Sequence, residues 1–186
     1  MTLSKEERSA SAKRAKNRGG TFQRDVAKLL SAWWDRKEES FYSTPASGGL
    51  RWQKRDDVIG DIVVPPSFEY NIECKSREEI GIGVFFERKF NKTDNIHLWW
   101  NQILSDTARS GKKPMLVFKQ LRHYPVLCMR IEDFSRIASE SPQAVQLFHA
   151  SVQTSIPCLN GVERVAMLKL TDFLDLVGPA DCRKEE

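Results

Sequence analysis

Two short runs constrain this chain more than any other stretch: Gly60-Asp61-Ile62-Val63-Val64 and Tyr70-Asn71-Ile72-Glu73-Cys74-Lys75, with Pro65-Pro66-Ser67 between them. β-branched and aromatic residues on either side of a proline turn predict two strands folded back into a hairpin. Successive side chains of a strand point to opposite faces, so Tyr70, Ile72 and Cys74 share one face and Asn71, Glu73 and Lys75 the other. Glu73 and Lys75 then stand about 7 Å apart at ~3.3 Å rise per residue. The turn brings Asp61 back to the same face. Two carboxylates and an ammonium converging at the end of a hairpin suit a divalent cation and a phosphate. The plainer reading is that Asp and Glu at strand ends are solvated, and Glu-x-Lys is common on exposed strands. The surrounding sequence has to decide between the two.

With 186 residues, 40% hydrophobic and 29% charged, the chain is expected to form one domain with a small C-terminal addition. No apolar run approaches the ~20 residues of a membrane span. The polar, basic start has no apolar segment of the secretory kind, so a cytoplasmic protein, bacterial or from a phage-infected cell, is expected. Cys74, Cys128, Cys158 and Cys182 form no Cys-x-x-Cys pair, which argues against zinc clusters and disulfide frameworks. His97, His123 and His149 are scattered, which disfavours zinc hydrolases and histidine-based nucleases.

The net charge of +4 is modest, but its distribution is informative. Lys5, Arg8, Lys13, Arg14, Lys16 and Arg18 crowd the start against only Glu6 and Glu7. Arg51, Lys54 and Arg55 precede the hairpin, and Lys112 and Lys113 sit in a later turn. Basic segments around an acidic centre fit a polyanion attracted in general and met by metal locally. A flexible solubilising tail is the competing reading for the first fifteen or so residues.

In chain order, residues 1–18 form a basic arm that Gly19-Gly20 is expected to end, with Thr21 capping a new helix. Phe22, Val26, Leu29, Leu30 and Trp33 give that helix one buried face. Phe41 to Thr44 reads as a strand and Pro45 to Gly49 as a loop. After Lys75 comes a charged surface excursion to Asp94, then a second amphipathic helix, Ile96 to Ser110, stopped by Gly111. Met115 to Phe118 and Pro125 to Ile131 read as strands. Beyond Ile131 a short helix, a helix from Ser141-Pro142 to about Val152, a strand at Val165 to Leu170 and a short helix at Thr171 to Leu174 are expected. Asp181 to Glu186 reads as a frayed end. This order predicts an α/β fold, a mixed central sheet flanked by helices, divided as arm 1–18, core 19–131 and a small α+β C-terminal extension 132–186 packed on the core.

Gly60-Asp61, eleven residues, then Glu73-Cys74-Lys75 resembles the PD-(D/E)XK nuclease signature, with glycine in place of the motif's proline. Gly20 to Val26 with its apolar helix, the Ser43 to Gly49 loop, and Trp100 to Ser110 followed by Lys113 to Phe118 resemble archaeal-type and phage Holliday junction resolvases. This resemblance covers roughly Gly19 to Ile131. It implies a restriction-endonuclease-like core, a homodimer and magnesium-dependent cleavage of branched DNA, with Mn2+ an acceptable substitute. Asp61 and Glu73 would bind metal with the Cys74 backbone carbonyl, as magnesium takes hard oxygen ligands and few carboxylates. Lys75 would stabilise developing charge.

One position departs from the resolvases: the metal-holding glutamate of their first helix is matched by Gln23, a neutral supporting member. Asp25, about 200° further round the helix, faces elsewhere; Asp57 is a further acidic candidate. Ser43, Thr44 and Ser47 either touch phosphate or only cap the loop. Arg51, Trp52, Lys54 and Arg55 are the better DNA contacts, as an aromatic among cations, while Trp99 and Trp100 read as core. Gln102 either faces the site or points to solvent. Two alternatives stay open: a nuclease of this fold acting on another substrate (restriction-type, flap or RNA), and a catalytically dead DNA-binding or recombination accessory protein.

Overall fold

The computed structural model describes residues 4–35, 38–44, 60–80, 95–158 and 161–184. Helix α1 spans Lys5–Trp33 and passes straight through Gly19-Gly20. The expected break there does not occur. Glycine costs only about 1 kcal/mol relative to alanine inside a helix, and both ends are secured. Ser4 and Glu7 form a reciprocal capping box, with N–H donation to Ser4 Oγ at 3.2 Å and to Glu7 Oε2 at 2.8 Å. At the other end Phe22, Val26 and Leu30 are buried. Thr21 is therefore no cap; its hydroxyl accepts from Arg24 at 3.0 Å.

The strands β1 (Tyr42–Ser43), β2 (Ile62–Val63), β3 (Tyr70–Arg77), β4 (Lys113–Gln120), β5 (Val126–Arg130), β6 (Val152–Cys158) and β7 (Gly161–Lys169) form one sheet in the order β1-β2-β3-β4-β5-β7-β6. The β3–β4 pair is parallel and the other pairs are antiparallel, so the sheet is mixed as expected. Helix α2 (Asn95–Ser110) lies between the parallel strands in sequence. Helices α3 (Ile131–Ser139), α4 (Pro142–Ala150) and α5 (Leu170–Leu176) complete the layers.

Strand alternation sorts the core into two faces. Tyr70, Ile72, Met115, Val117, Leu127 and Met129 pack with Phe22, Val26, Leu30, Phe134 and Phe173 from α1, α3 and α5. Leu116, Phe118, Cys128 and Val165 pack on the other side with Trp99, Trp100 and Ile103 of α2. Glu73 and Lys75 therefore face α2, and α1 covers the opposite side of β3.

Two expectations fail in the C-terminal third. Residues 152–158 form an edge strand, whereas the sequence suggested only the end of a helix there; Ser141 does cap α4, which stops at Ala150. The chain end is also docked rather than frayed. Cys182 is fully buried in a short 3-10 turn (Pro179–Cys182), Glu69 N–H donates to its carbonyl at 3.0 Å, and Lys184 N–H donates to the Ser67 carbonyl at 2.9 Å. β6 and β7 extend the same sheet as the hairpin strands.

Candidate active site

The site begins with the hairpin register. Ile62 pairs with Ile72, and Asp61 N–H donates to the Ile72 carbonyl at 3.0 Å. Gly60 just before it has φ +91°, and a Cβ built there would meet the Ile72 carbonyl oxygen at 2.7 Å. Proline, fixed near φ −65°, has no access to that conformation, so the glycine is a requirement of this backbone. On the outer side, Thr44 N–H donates to the Asp61 carbonyl at 3.0 Å and Thr44 Oγ1 to the Gly60 carbonyl at 3.2 Å. The Thr44 hydroxyl is thus used to hold the motif's backbone. Lys112 Nζ donates to the carbonyls of Pro65 at 3.1 Å, Pro66 at 3.3 Å and Phe68, which pins the hairpin turn from the start of β4.

These contacts hold Asp61 against β3. Its Oδ2 accepts from the Cys74 backbone N–H at 3.0 Å. The backbone of the residue between Glu73 and Lys75 thereby fixes the first carboxylate beside the second. Asp61 is 7% exposed and Glu73 only 2%, far below what an ordinary strand-end acid shows, and this decides against the solvated reading.

Glu73 Oε1 forms an ion pair with Lys75 Nζ. Gln102, on α2, bridges both: its Nε2 donates to Glu73 Oε1 at 2.7 Å, and its Oε1 accepts from Lys75 Nζ at 3.1 Å. The amide's two ends are distinguished by these partners, since the ammonium can only donate and the carboxylate can only accept. Burial, reinforced by the negative charge of Asp61 and opposed by Lys75, pushes the Glu73 carboxyl up to about 7.

Asp61, Glu73, Lys75 and Gln102 are therefore brought together. Gln102 was legible only as a helix residue with two possible orientations; it sits at the rim of the α2 apolar stripe, next to buried Ile103. Gln23 is buried on α1, the helix over the opposite face of β3. Ser43 is half-buried in β1, paired with Ile62. Trp99 and Trp100 belong to the core. Ser47, Arg51, Trp52, Lys54, Arg55 and Asp57 lie outside the described residues.

Among the described residues no group of three or more Asp, Glu, His or Cys side chains could hold a metal. The oxygen donors held side by side are the carboxylates of Asp61 and Glu73, on either side of the Cys74 backbone N–H that binds Asp61. This all-oxygen set fits a hard divalent cation that keeps several waters and takes one or two carboxylates. Two buried carboxylates facing one lysine also leave negative charge to be balanced. The arrangement sets two carboxylates that could hold a cation beside an ammonium, a combination suited to a phosphodiester.

Residues 14–179 match the family model described as phage putative PDDEXK endonuclease. The match runs well past Ile131 and takes in β6, β7 and α5. Neither curated proteins nor solved structures supply a match.

Proposed function

The chain belongs to the phage putative PDDEXK endonuclease family, and from that premise we propose that it is a divalent-metal-dependent endodeoxyribonuclease, with magnesium the working ion and branched DNA the preferred substrate. The observation that carries this reading is the convergence of Asp61, Glu73 and Lys75 at one buried edge of β3. Asp61 and Glu73, with the Cys74 carbonyl, hold the cation. When bound, the ion polarises the phosphate and favours attack by water.

The remaining chemistry belongs to the chain. Lys75 sets its ammonium where negative charge grows as the phosphorus–oxygen bond breaks. Gln102 holds the Lys75 and Glu73 heads in one geometry, so neither side chain has to reorganise as substrate arrives. Glu73 has to lose its proton to act as a ligand, and its position between Asp61 and Lys75 keeps that loss within reach near neutral pH.

The preference for branched DNA and a homodimeric state rest on the likeness of the first helix, the glycine-rich loop and the later helix and strand to junction resolvases. The test is cleavage of four-way junctions, flaps and plain duplexes by one preparation, with and without magnesium. Paired symmetric nicks in the junction support a resolvase; equal cleavage of plain duplex points to the restriction-type reading. Gln23, uncharged where those resolvases place a glutamate, favours the second reading of a DNA-binding protein without cleavage. Junction binding with no cleavage in magnesium or manganese is the outcome that supports it.

A further inference from the structure

We infer that the N-terminal half of α1 is a rail for the phosphate backbone of duplex DNA leading to the active site, an inference that rests on the nuclease reading. Helix α1 runs antiparallel to β3. The Trp34 ring, at its C-terminal end, packs on Phe68 ahead of β3, with centroids 5.6 Å apart. Near its middle, Phe22 lies under Lys119 Nζ at 5.8 Å, and Lys119 pairs with Ser76 near the end of β3. Arg18 Nη1 then binds Glu78 Oε1 at 2.6 Å, just past that strand. The residues before Arg18 therefore continue beyond the end of β3 that carries Lys75. From Ser4 to Arg18 they reach about 21 Å at 1.5 Å per residue.

The chemistry of this projecting half is one-sided. From Arg8 to Arg24 the chain has six cations, Arg8, Lys13, Arg14, Lys16, Arg18 and Arg24, and no carboxylate. Glu7, the last acid before this run, is engaged in the capping box, and those hydrogen bonds hold its carboxyl below the usual range. Lys13, Arg14 and Lys16 are exposed. No large apolar side chain occurs between Lys5 and Thr21, so this half has no face with which to enter a membrane or dock a partner helix. From Arg8 to Gly20 the residues other than the cations are alanine, serine, asparagine and glycine, short enough to let cations on either side reach phosphates. A rigid cationic rod fixed at the catalytic end of the sheet fits a phosphate backbone by charge, without reading sequence.

The experiment is salt-dependent binding of the full chain to a plain duplex, without divalent metal so that binding is separated from cleavage. The triple variant K13A/R14A/K16A keeps helix propensity, because alanine is the best helix former. Its slope of log affinity against log salt should fall by up to about 2.7, at ~0.9 for each phosphate left without its cation, with affinity at least about tenfold weaker near 0.1 M salt. The charge-conserving variant K13R/R14K/K16R should restore wild-type affinity, which a purely structural role of these side chains would not require. An unchanged slope and affinity in the alanine variant overturns the rail. If the wild type then cleaves DNA with metal, the nuclease reading survives that result; if the wild type neither binds nor cleaves DNA, both fall.

Discussion

Gln102 donates to the Glu73 carboxylate at 2.7 Å across the gap between α2 and β3, and with the same amide accepts from Lys75. The helix that follows the Glu-x-Lys strand is thus tied to the strand's two charged heads by one neutral side chain. Replacing Gln102 with alanine leaves the Glu73–Lys75 pair without its orienting partner. Loss of a group that orients metal ligands typically costs 10–100-fold in metal affinity or activity. Single-turnover cleavage over a magnesium series is expected to show a drop of about that size, with the melting temperature little changed. Wild-type rates at every magnesium concentration would remove Gln102 from the machinery.

Glu73 carries a pH signature in the metal-free protein. Its carboxyl is raised to about 7 in the fold, above the ordinary 4.5. The folded state therefore binds this proton more tightly than the unfolded chain does. The stabilising contribution is fully present below about pH 4.5 and is lost as pH rises through about 7. Metal-free thermal melts are expected to show this contribution declining between about pH 4.5 and 7 in wild type and absent in Glu73→Gln. Magnesium displaces the proton, so its affinity is expected to rise over the same window and its binding to release protons near pH 6.5. A wild-type and Glu73→Gln pair with parallel pH profiles would contradict this.

Gly60 tests the motif's backbone. Alanine there adopts φ +91° under strain and sets its Cβ against the Ile72 carbonyl. Such strain costs on the order of 1–3 kcal/mol before the clash is relieved. Gly60→Ala is expected to lower the unfolding free energy by at least about 2 kcal/mol and to weaken metal binding by moving Asp61. Gly60→Pro, although it restores the residue usual in the signature, is expected to be worse. A stable, active proline variant would show that the glycine conformation is dispensable.

The chain end is expected to matter for stability. Deleting residues 179–186 removes the Cys182 and Lys184 backbone bonds, uncovers Phe68 and separates Arg183 from Asp35. Two net hydrogen bonds at about 1 kcal/mol each, with the lost burial added, predict a fall in melting temperature of at least about 5 °C. An unchanged melt would mean that this segment is dispensable.

The hairpin was legible because Tyr70 to Lys75 alternates strictly and Pro65-Pro66 marks its turn. The α2 helix was legible from the spacing of Ile96, Trp99, Trp100 and Ile103. β6 was not, because it is a polar edge strand: only Ile156 is buried, and Pro157 is of the kind that edges tolerate. Continuity of α1 through Gly19-Gly20 was hidden because a pair of glycines signals a break locally, while the restraints that override it lie at the helix ends. Asp61, Glu73 and Lys75 could be placed on one face from strand geometry alone. The approach of Gln102 could not, since it depends on how α2 packs across the sheet.

The most direct measurement is single-turnover cleavage of DNA in magnesium by wild type, Asp61→Asn and Lys75→Ala at equal concentration. The amide oxygen of the introduced asparagine can still accept the Cys74 N–H, so the first variant removes charge and leaves the hydrogen bond in place. Metal-dependent cleavage by wild type is expected, with at least about 100-fold slower cleavage by both variants. Cleavage by either variant at the wild-type rate would contradict this.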